Sequence, residues 1–361
     1  MEQVMVIILI LLAVIGYVLW YYYVAYPLLR MHVKSYTIRV KPEVTVVVCA
    51  KNEAASITPL IQSLKEQDYP AFKVLVIDDD SHDNTYQLVS ELIKNDHRFC
   101  VQTLQPAQKK QAGKKGVVAY AYAQLNTPWI LHTDADCVPA SKQWISLMMD
   151  ATAKEETELV LGIGRYEKGK TWWQHIVFVE TLLIAMQYLG TALRGKPYMA
   201  VGRNMAIHYD LYNNVSFDNK ILSGDDDLLI QAYATKTNVS IQTEKKAHTI
   251  SGLPSSFLAY VNMKRRHITT SNYYSLSSKL LLGVWPASLM CAWLGVIFIN
   301  DKFSLLFLLL LLVKAQMLYR VSKSLKTPIL GLKLLFVESY LLIQSLMIYL
   351  AHLIRPKYTW K

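Results

Sequence analysis

The chain has 361 residues, 53% of them hydrophobic and 18% charged, with a mean hydropathy of +0.20. An average soluble domain is about 45–50% apolar and about 25% charged, so the composition excludes a mainly disordered chain and a protein made of membrane helices alone. It fits a water-soluble domain joined to a few apolar helices. The formal net charge is +11, but its distribution does not read as a nucleic-acid module. Basic residues follow the first apolar run (Arg30, Lys34, Arg39, Lys41), cluster from Lys109 to Lys115 and recur at Lys264–Arg266. No nucleic acid is expected as a partner. Cys49, Cys100, Cys137 and Cys291 form no C-x-x-C pair, which excludes a disulfide scaffold and leaves no zinc signature.

Residues 1–29 read as a transmembrane helix: Val4–Leu29 is almost wholly apolar, with an aromatic belt at Trp20–Tyr23. A signal peptide would begin with positive charge and end in a small-residue cleavage site; here the start carries Glu2 and the positive charge follows the run. The positive-inside rule then places residue 30 onward in the cytoplasm. Residues 30–279 form the expected cytoplasmic domain, and residues 280–361 a C-terminal membrane region with about three apolar helices. Its runs are roughly Leu280–Ile299, Phe303–Leu318 and Ile329–Ile354, with a turn at Asn300–Lys302. Lys314 is expected to snorkel toward the loop marked by Arg320, Lys323 and Lys326. A mid-membrane charge costs roughly 2.5–3.5 kcal/mol, so Glu338 is either paired inside the bundle or near an interface. Four spans would leave Arg355, Lys357 and Lys361 outside; either the charge rule fails there or one run lies in the interface.

In chain order, Val44–Ala50 (VTVVVCA) predicts a strand buried on both faces. Ile57, Leu60, Ile61 and Leu64 follow at helical spacing, stopped by Asp68-Tyr69-Pro70. Val74–Ile77 predicts a second strand, and Leu88, Val89, Leu92 and Ile93 a second helix. Val101–Leu104, Trp129–Thr133 and Leu159–Ile163 are further strand candidates. This alternation predicts an α/β fold with a doubly wound, mostly parallel sheet, whose ligands bind at the carboxyl ends of the strands. Thr171–Leu189 is apolar apart from Glu180, and reads as an interfacial helix or as a buried core helix.

Two acidic clusters fall at strand ends: Asp78-Asp79-Asp80 after the second strand and Asp134-Ala135-Asp136 after the one at Trp129. Carboxylates there suit a hard divalent cation. Turn and helix-cap use is the competing reading of each cluster.

The run Val44–Thr85 resembles the opening of a family-2 glycosyltransferase of GT-A fold: a strand and an Asn-Glu turn (Asn52, Glu53), a helix, a strand ending in paired Asp (Asp78, Asp79), then Ser81-x-Asp83-x-Thr85. Gly113-Lys114-Lys115-Gly116 resembles that family's lysine-bearing helix start, and Asp134-Ala135-Asp136 its D-x-D motif. Gly202-Arg203-Asn204 resembles its Gly-x-Asn segment, Gly224-Asp225-Asp226-Asp227 its Glu-Asp segment, and Met263–His267 stands where it places Q-x-x-R-W. The resemblance implies a membrane-anchored, inverting transferase. It implies Asp226 as catalytic base, and Asn52, Glu53, Asp78, Asp79, Lys114, Asp134 and Arg266 as donor-binding residues. It further implies Asn204 and Asp225 on the acceptor side, and Asp136 as ligand of Mg²⁺ or Mn²⁺. A nucleotide sugar is the implied donor and a cytoplasmic-face lipid-linked or glycan acceptor its partner. Asp80 stands for the usual Gly, Asp225 for Glu, and Met263 and His267 for Gln and Trp; of the last motif only Arg266 remains. That loss disfavours a processive synthase and favours transfer of one sugar or very few.

Asp134-Ala135-Asp136-Cys137-Val138 also fits the D-x-D-x-[TV] pattern of haloacid-dehalogenase phosphatases, but Leu228–Ile230 occupy the zone where a further Asp is wanted. A sugar nucleotidyltransferase would want a Gly-rich loop near the first strand, which is absent from the sequence. A non-catalytic membrane binding module remains if the carboxylates are structural.

Overall fold

The structure is a computed structural model that describes residues 2–31, 38, 40–111, 113–213, 225–298 and 304–354. Gly224, the Asn300–Lys302 turn and Arg355, Lys357 and Lys361 lie outside the described residues, as does the side chain of Asp225.

Among the described residues, ten strands form two sheets: β1 (Val44–Ala50), β2 (Phe72–Asp78), β3 (Phe99–Thr103), β4 (Trp129–Asp134), β5 (Cys137–Pro139), β6 (Leu159–Leu161), β7 (Gly164–Tyr166), β8 (Met205–His208), β9 (Val239–Ile241) and β10 (Thr249–Ser251). The large sheet has the order β3-β2-β1-β4-β8-β6-β9. Its β3-β2-β1-β4 half is parallel, while β8 runs antiparallel to β4 and β6. Because β1 lies between two parallel neighbours, its β-branched side chains are buried on both faces. Val46 and Val48 point to a core shared with the Ile57–Lys65 and Trp144–Asp150 helices, and Val47 points to the opposite core. A small sheet, β5-β10-β7, lies beside the large one.

Register positions the site. Ala50 pairs with Asp78, and Cys49 with Asp134, so β1, β2 and β4 end level at one edge. The antiparallel β8 begins there, with Met205 opposite His132, which brings Gly202–Asn204 to the same edge.

Among the described residues, five helices are long and apolar enough to cross a membrane, by length and composition: Val4–Arg30, Trp172–Leu193, Leu276–Ile297, Ser304–Ser324 and Gly331–Leu350. The Trp172–Leu193 helix is the exception in placement, with 83% of its apolar window buried within the protein. Of the two sequence readings, it is therefore the core helix. Ile176, Val179, Leu183 and Met186 sit in one continuous core with Val47 of the sheet and with Trp285, Phe307 and Leu335 of the later apolar helices. Gly190 is needed there, because a Cβ would stand 2.6 Å from the backbone of Val24.

Lys314 does not snorkel. Its ammonium is buried, 3.4 Å from Glu338 and 3.7 Å from the Trp20 ring centroid. Glu338 is thus paired inside the bundle, where a lone charge would be costly.

His248, just before β10, is fully buried and neutral. Its Nε2 stands 3.3 Å from the Thr243 carbonyl, and among the described residues Nδ1 has no hydrogen-bond partner. Burial lowers its pKa from 6.5 to about 4. The unfolded chain therefore takes up this proton first. The associated stability is fully present above pH 6.5 and is lost as pH falls through about 4, by about 3 kcal/mol in total. His248→Gln, whose amide can still donate to Thr243, is expected to flatten the fall in Tm between pH 7 and pH 4, measured on the full chain in detergent.

Candidate active site

The turn after β1 is knitted to the turn after β2 by three consecutive backbone N–H groups. Asn52 N–H donates to Ser81 Oγ (2.9 Å), Glu53 N–H to Thr85 Oγ1 (2.8 Å) and Ala54 N–H to Asp83 Oδ2 (3.1 Å). This is what the Ser-x-Asp-x-Thr pattern does: it satisfies an irregular backbone that has left the sheet. Asn52 and Asp80 have φ of 54° and 53°, the left-handed region that Asn and Asp tolerate better than other side-chain-bearing residues. Asp80 can thus stand where Gly is usual.

Asn52 spends its side chain on this knot, accepting from His82 N–H at 2.9 Å, and does not line the cavity. Asp78 is buried beneath it and accepts from Ser81 N–H at 3.3 Å; it does not line the cavity either. Glu53 and Asp79 do. Asp79 is buried between two cations, Lys51 at 3.4 Å and Lys109.

At the end of β4, Asp134 Oδ1 accepts from the Lys114 ammonium. Burial presses the Asp134 carboxyl upward more than any other single cause, but the charge and hydrogen bond of Lys114 together with the Arg203 charge hold the group below the usual carboxylate range. Lys115, next in sequence, is buried and lies outside the cavity lining. Asp134, Asp136 and Cys137 offer ligand atoms within 4.8 Å of one another. Asp136 is exposed, whereas the Cys137 thiol is buried 3.0 Å from Ser251 Oγ. The accessible donors are therefore carboxylate oxygens, which fit Mg²⁺ or Mn²⁺ rather than a thiol-seeking metal.

Asp226 lies in the first turn of the Asp225–Tyr233 helix, where the N-terminal dipole favours its ionised form. Its Oδ2 accepts from Gly202 N–H at 2.7 Å and its Oδ1 from Asp227 N–H at 2.9 Å. A Cβ at Gly202 would stand 3.0 Å from Asp226 Oδ2, so glycine permits this approach. Asp227 Oδ2 accepts from Tyr274 OH at 2.6 Å.

Asn204 departs from its expected acceptor-side place. It is fully buried, donates to the Ile163 and Ala247 carbonyls (2.9 and 2.8 Å) and accepts from Trp144 Nε1 at 2.9 Å. It joins four segments behind the site and has no surface toward the cavity. Arg203 faces the cavity instead, stacked 4.8 Å over the Tyr166 ring with a bond to the Gly164 carbonyl.

Glu53, Asp79, Lys114, Asp134, Asp136, Asp226 and Arg266 thus meet in one cavity of about 490 Å³. The Trp172–Leu193 helix adds Thr181, Ile184 and Gln187 to the lining, and the Leu276–Phe298 helix adds Leu282. The sequence reading assigned no role to Lys51, Lys109, Arg203 or Tyr274, and took Asp227 as a competitor of Asp226 for the base. Lys51 and Arg203 adjoin recognised motifs and were open to discovery on that ground; Tyr274 reaches Asp227 through helix packing alone.

Residues 45–215 match the family model described as Glycosyl transferase family 2. This segment resembles a family 2 glycosyltransferase domain over its whole length. The domain supports a nucleotide-sugar-dependent glycosyltransferase and displaces the phosphatase reading. No curated protein matches the chain. Among solved structures, the chain is similar to the mannosyltransferase PcManGT of Pyrobaculum calidifontis, solved with GDP-Man and Mn²⁺, at 15% identity and a TM-score of 0.60, covering 96% of this chain and 99% of that one. This shared fold is GT-A-like, with a mostly parallel central sheet. The chain also matches Staphylococcus aureus TarS 1-349 with UDP-GlcNAc (16% identity, 88% and 93% covered, TM-score 0.46). A third match is glucosyl-3-phosphoglycerate synthase of Mycobacterium tuberculosis with Mn²⁺ and UDP-glucose (16%, 63% and 77%, 0.45).

Proposed function

We propose that this protein is a membrane-bound, inverting glycosyltransferase. It moves a sugar from a UDP- or GDP-linked donor to a hydroxyl of a lipid-linked or glycan acceptor at the cytoplasmic face. The observation that carries the reading is the meeting of two strand-end acidic clusters and Asp226 in one cavity. Asp79 and Glu53 contact base and ribose, while Asp78 and Asn52 shape their turn from behind. Lys114 is expected to pass from Asp134 to the donor diphosphate, joined there by Arg266. Asp136, with Asp134, would hold Mg²⁺ or Mn²⁺, which supplies Lewis-acid stabilisation of the leaving diphosphate when bound.

Asp226 takes the proton from the acceptor hydroxyl. The oxygen forms a bond to the anomeric carbon from the face opposite the diphosphate, and the carbon–diphosphate bond breaks with its electron pair going to the nucleoside diphosphate. One displacement inverts the anomeric centre. Asp225, at the start of the same helix, belongs to the acceptor side of this arrangement. The apolar side chains of Ile184 and Leu282 in the lining support an acceptor with a lipid portion. Residues 1–29 and 280–361 would anchor the catalytic residues 30–279 to the bilayer, the Trp172–Leu193 helix staying within the protein.

A panel of labelled UDP- and GDP-sugars, offered with lipid extracts or water-soluble glycans, tests this. Release of nucleoside diphosphate with a product of inverted configuration is expected, in the lipid fraction. A retained configuration removes the mechanism, transfer to soluble acceptors alone removes the lipid acceptor, and no turnover returns the chain to a non-catalytic binding module.

A further inference from the structure

Glu180 is a carboxylate in the middle of a 22-residue, otherwise almost wholly apolar helix, Trp172–Leu193. It is buried, and neither the membrane nor the chemistry described above explains it. Both of its oxygens are engaged. Oε1 stands 2.7 Å from Lys264 Nζ, and Oε2 accepts from Tyr260 OH at 2.7 Å. The Tyr260 oxygen in turn accepts from Gln344 Nε2 at 3.0 Å, and both residues are buried. Gln344 belongs to the Gly331–Ile354 helix, while Tyr260 and Lys264 are one turn apart on the Phe257–Ser271 helix. Three helices therefore converge on one carboxylate.

The Phe257–Ser271 helix presents Met263, Lys264, Arg266, His267 and Thr270 to the cavity. Glu180 itself does not line the cavity, although its neighbour Thr181 does. Its two contacts, Tyr260 and Lys264, lie on another face of the helix than Arg266, with Lys264 itself reaching the cavity lining. A desolvated carboxylate with both oxygens occupied resists the loss of either partner, so the helix is held in rotation and in height.

We propose that Glu180 is a positioning residue: it pins the Phe257–Ser271 helix against the Trp172–Leu193 and Gly331–Ile354 helices and thereby fixes Arg266 at the leaving diphosphate. The role rests on the glycosyltransfer reading. It also makes the last apolar helix part of the catalytic geometry through Gln344. Misplacing an oriented group by about 1 Å can cost about 10²-fold in rate. The charge on the leaving group develops in the transition state, so the loss belongs to kcat rather than to the donor KM.

The test uses the full chain in detergent, with wild type, Glu180→Leu, Glu180→Gln and Tyr260→Phe. Glu180→Gln keeps the acceptor for Tyr260 and loses the charge pair. The expected order of kcat is wild type, Tyr260→Phe, Glu180→Gln, Glu180→Leu, with the last lowered about 10²-fold and the donor KM little changed. Amide exchange over residues 257–271 should rise in the same order. Should Glu180→Leu fail to fold, the other two variants carry the comparison. Unchanged kcat in folded Glu180→Gln, or a fall in kcat without faster exchange in that helix, overturns the proposal. Absence of turnover by wild type with every donor removes the glycosyltransfer reading instead, a result distinct from an active wild type whose variants behave like it.

Discussion

Asp226→Asn is expected to lower turnover by about 10²–10⁴-fold, the usual contribution of a positioned general base, while nucleotide and metal binding persist. The substitution is close to isosteric. An asparagine carbonyl at this place can still accept the Gly202 N–H bond that Asp226 Oδ2 receives at 2.7 Å, while the bond from Asp227 N–H to Oδ1 at 2.9 Å is given up together with the capacity to take a proton. Single-turnover measurements with saturating donor isolate that step, and titration with the nucleoside diphosphate shows that the donor side is intact. Two neighbours compete for the role. Asp227 also lines the cavity and accepts a bond from Tyr274 OH at 2.6 Å, so Asp227→Asn is measured beside Asp226→Asn. A collapse in Asp225→Asn or Asp227→Asn beside near-normal Asp226→Asn would move the base to that neighbour.

Removal of divalent metal is expected to abolish transfer, and Mg²⁺ or Mn²⁺ to restore it. Asp134 and Asp136 stand at the strand end toward which a diphosphate would be drawn, and carboxylates and diphosphate repel unless a cation lies between them. Lewis-acid stabilisation is worth several kcal/mol, and each 1.36 kcal/mol is a factor of ten in rate, so a loss of about 10³-fold or more is anticipated. Asp136→Asn should reproduce the chelator effect and also weaken donor binding, in contrast to Asp226→Asn. Full activity in excess chelator would refute the metal requirement, and calorimetric titration of Mn²⁺ into the two variants separates the roles without an activity assay.

The half of the sheet that builds the donor side was legible in the sequence because its strands are buried on both faces. Val44–Ala50 is continuously apolar and β-branched, and its predicted limits coincide with those of β1. The strand predicted at Val74–Ile77 extends by two residues at its start, to Phe72, and by one at its end, to Asp78. The strand read at Leu159–Ile163 stops at Leu161, and the chain re-forms as Gly164–Tyr166 in the other sheet. Three-residue strands such as β5, β7 and β10 carry no readable period; they exist because distant segments pair. Long-range pairing also decided what composition could not. Lys314 is apolar-run punctuation in sequence and an ion-pair partner of Glu338 in space. Asn204 stands in a motif, yet its amide is consumed by Ile163, Ala247 and Trp144. The acidic clusters were legible because strand ends can be located, whereas the lysines that cover Asp79 come from loops with no pattern of their own.

The core that runs unbroken from Val47 of the sheet through Met186 to Phe307 and Leu335 makes the catalytic unit and its helices one cooperative body. A cut at residue 279 would strip the Trp172–Leu193 helix of part of its cover and leave apolar side chains facing water. Expression of the sheet region alone is thus a matter of aggregation rather than of solubilised activity. On the membrane-bound reading, a tilt of the terminal helices would be transmitted through this shared core toward Ile184 and Leu282 in the cavity lining, and turnover would be expected to respond to bilayer thickness.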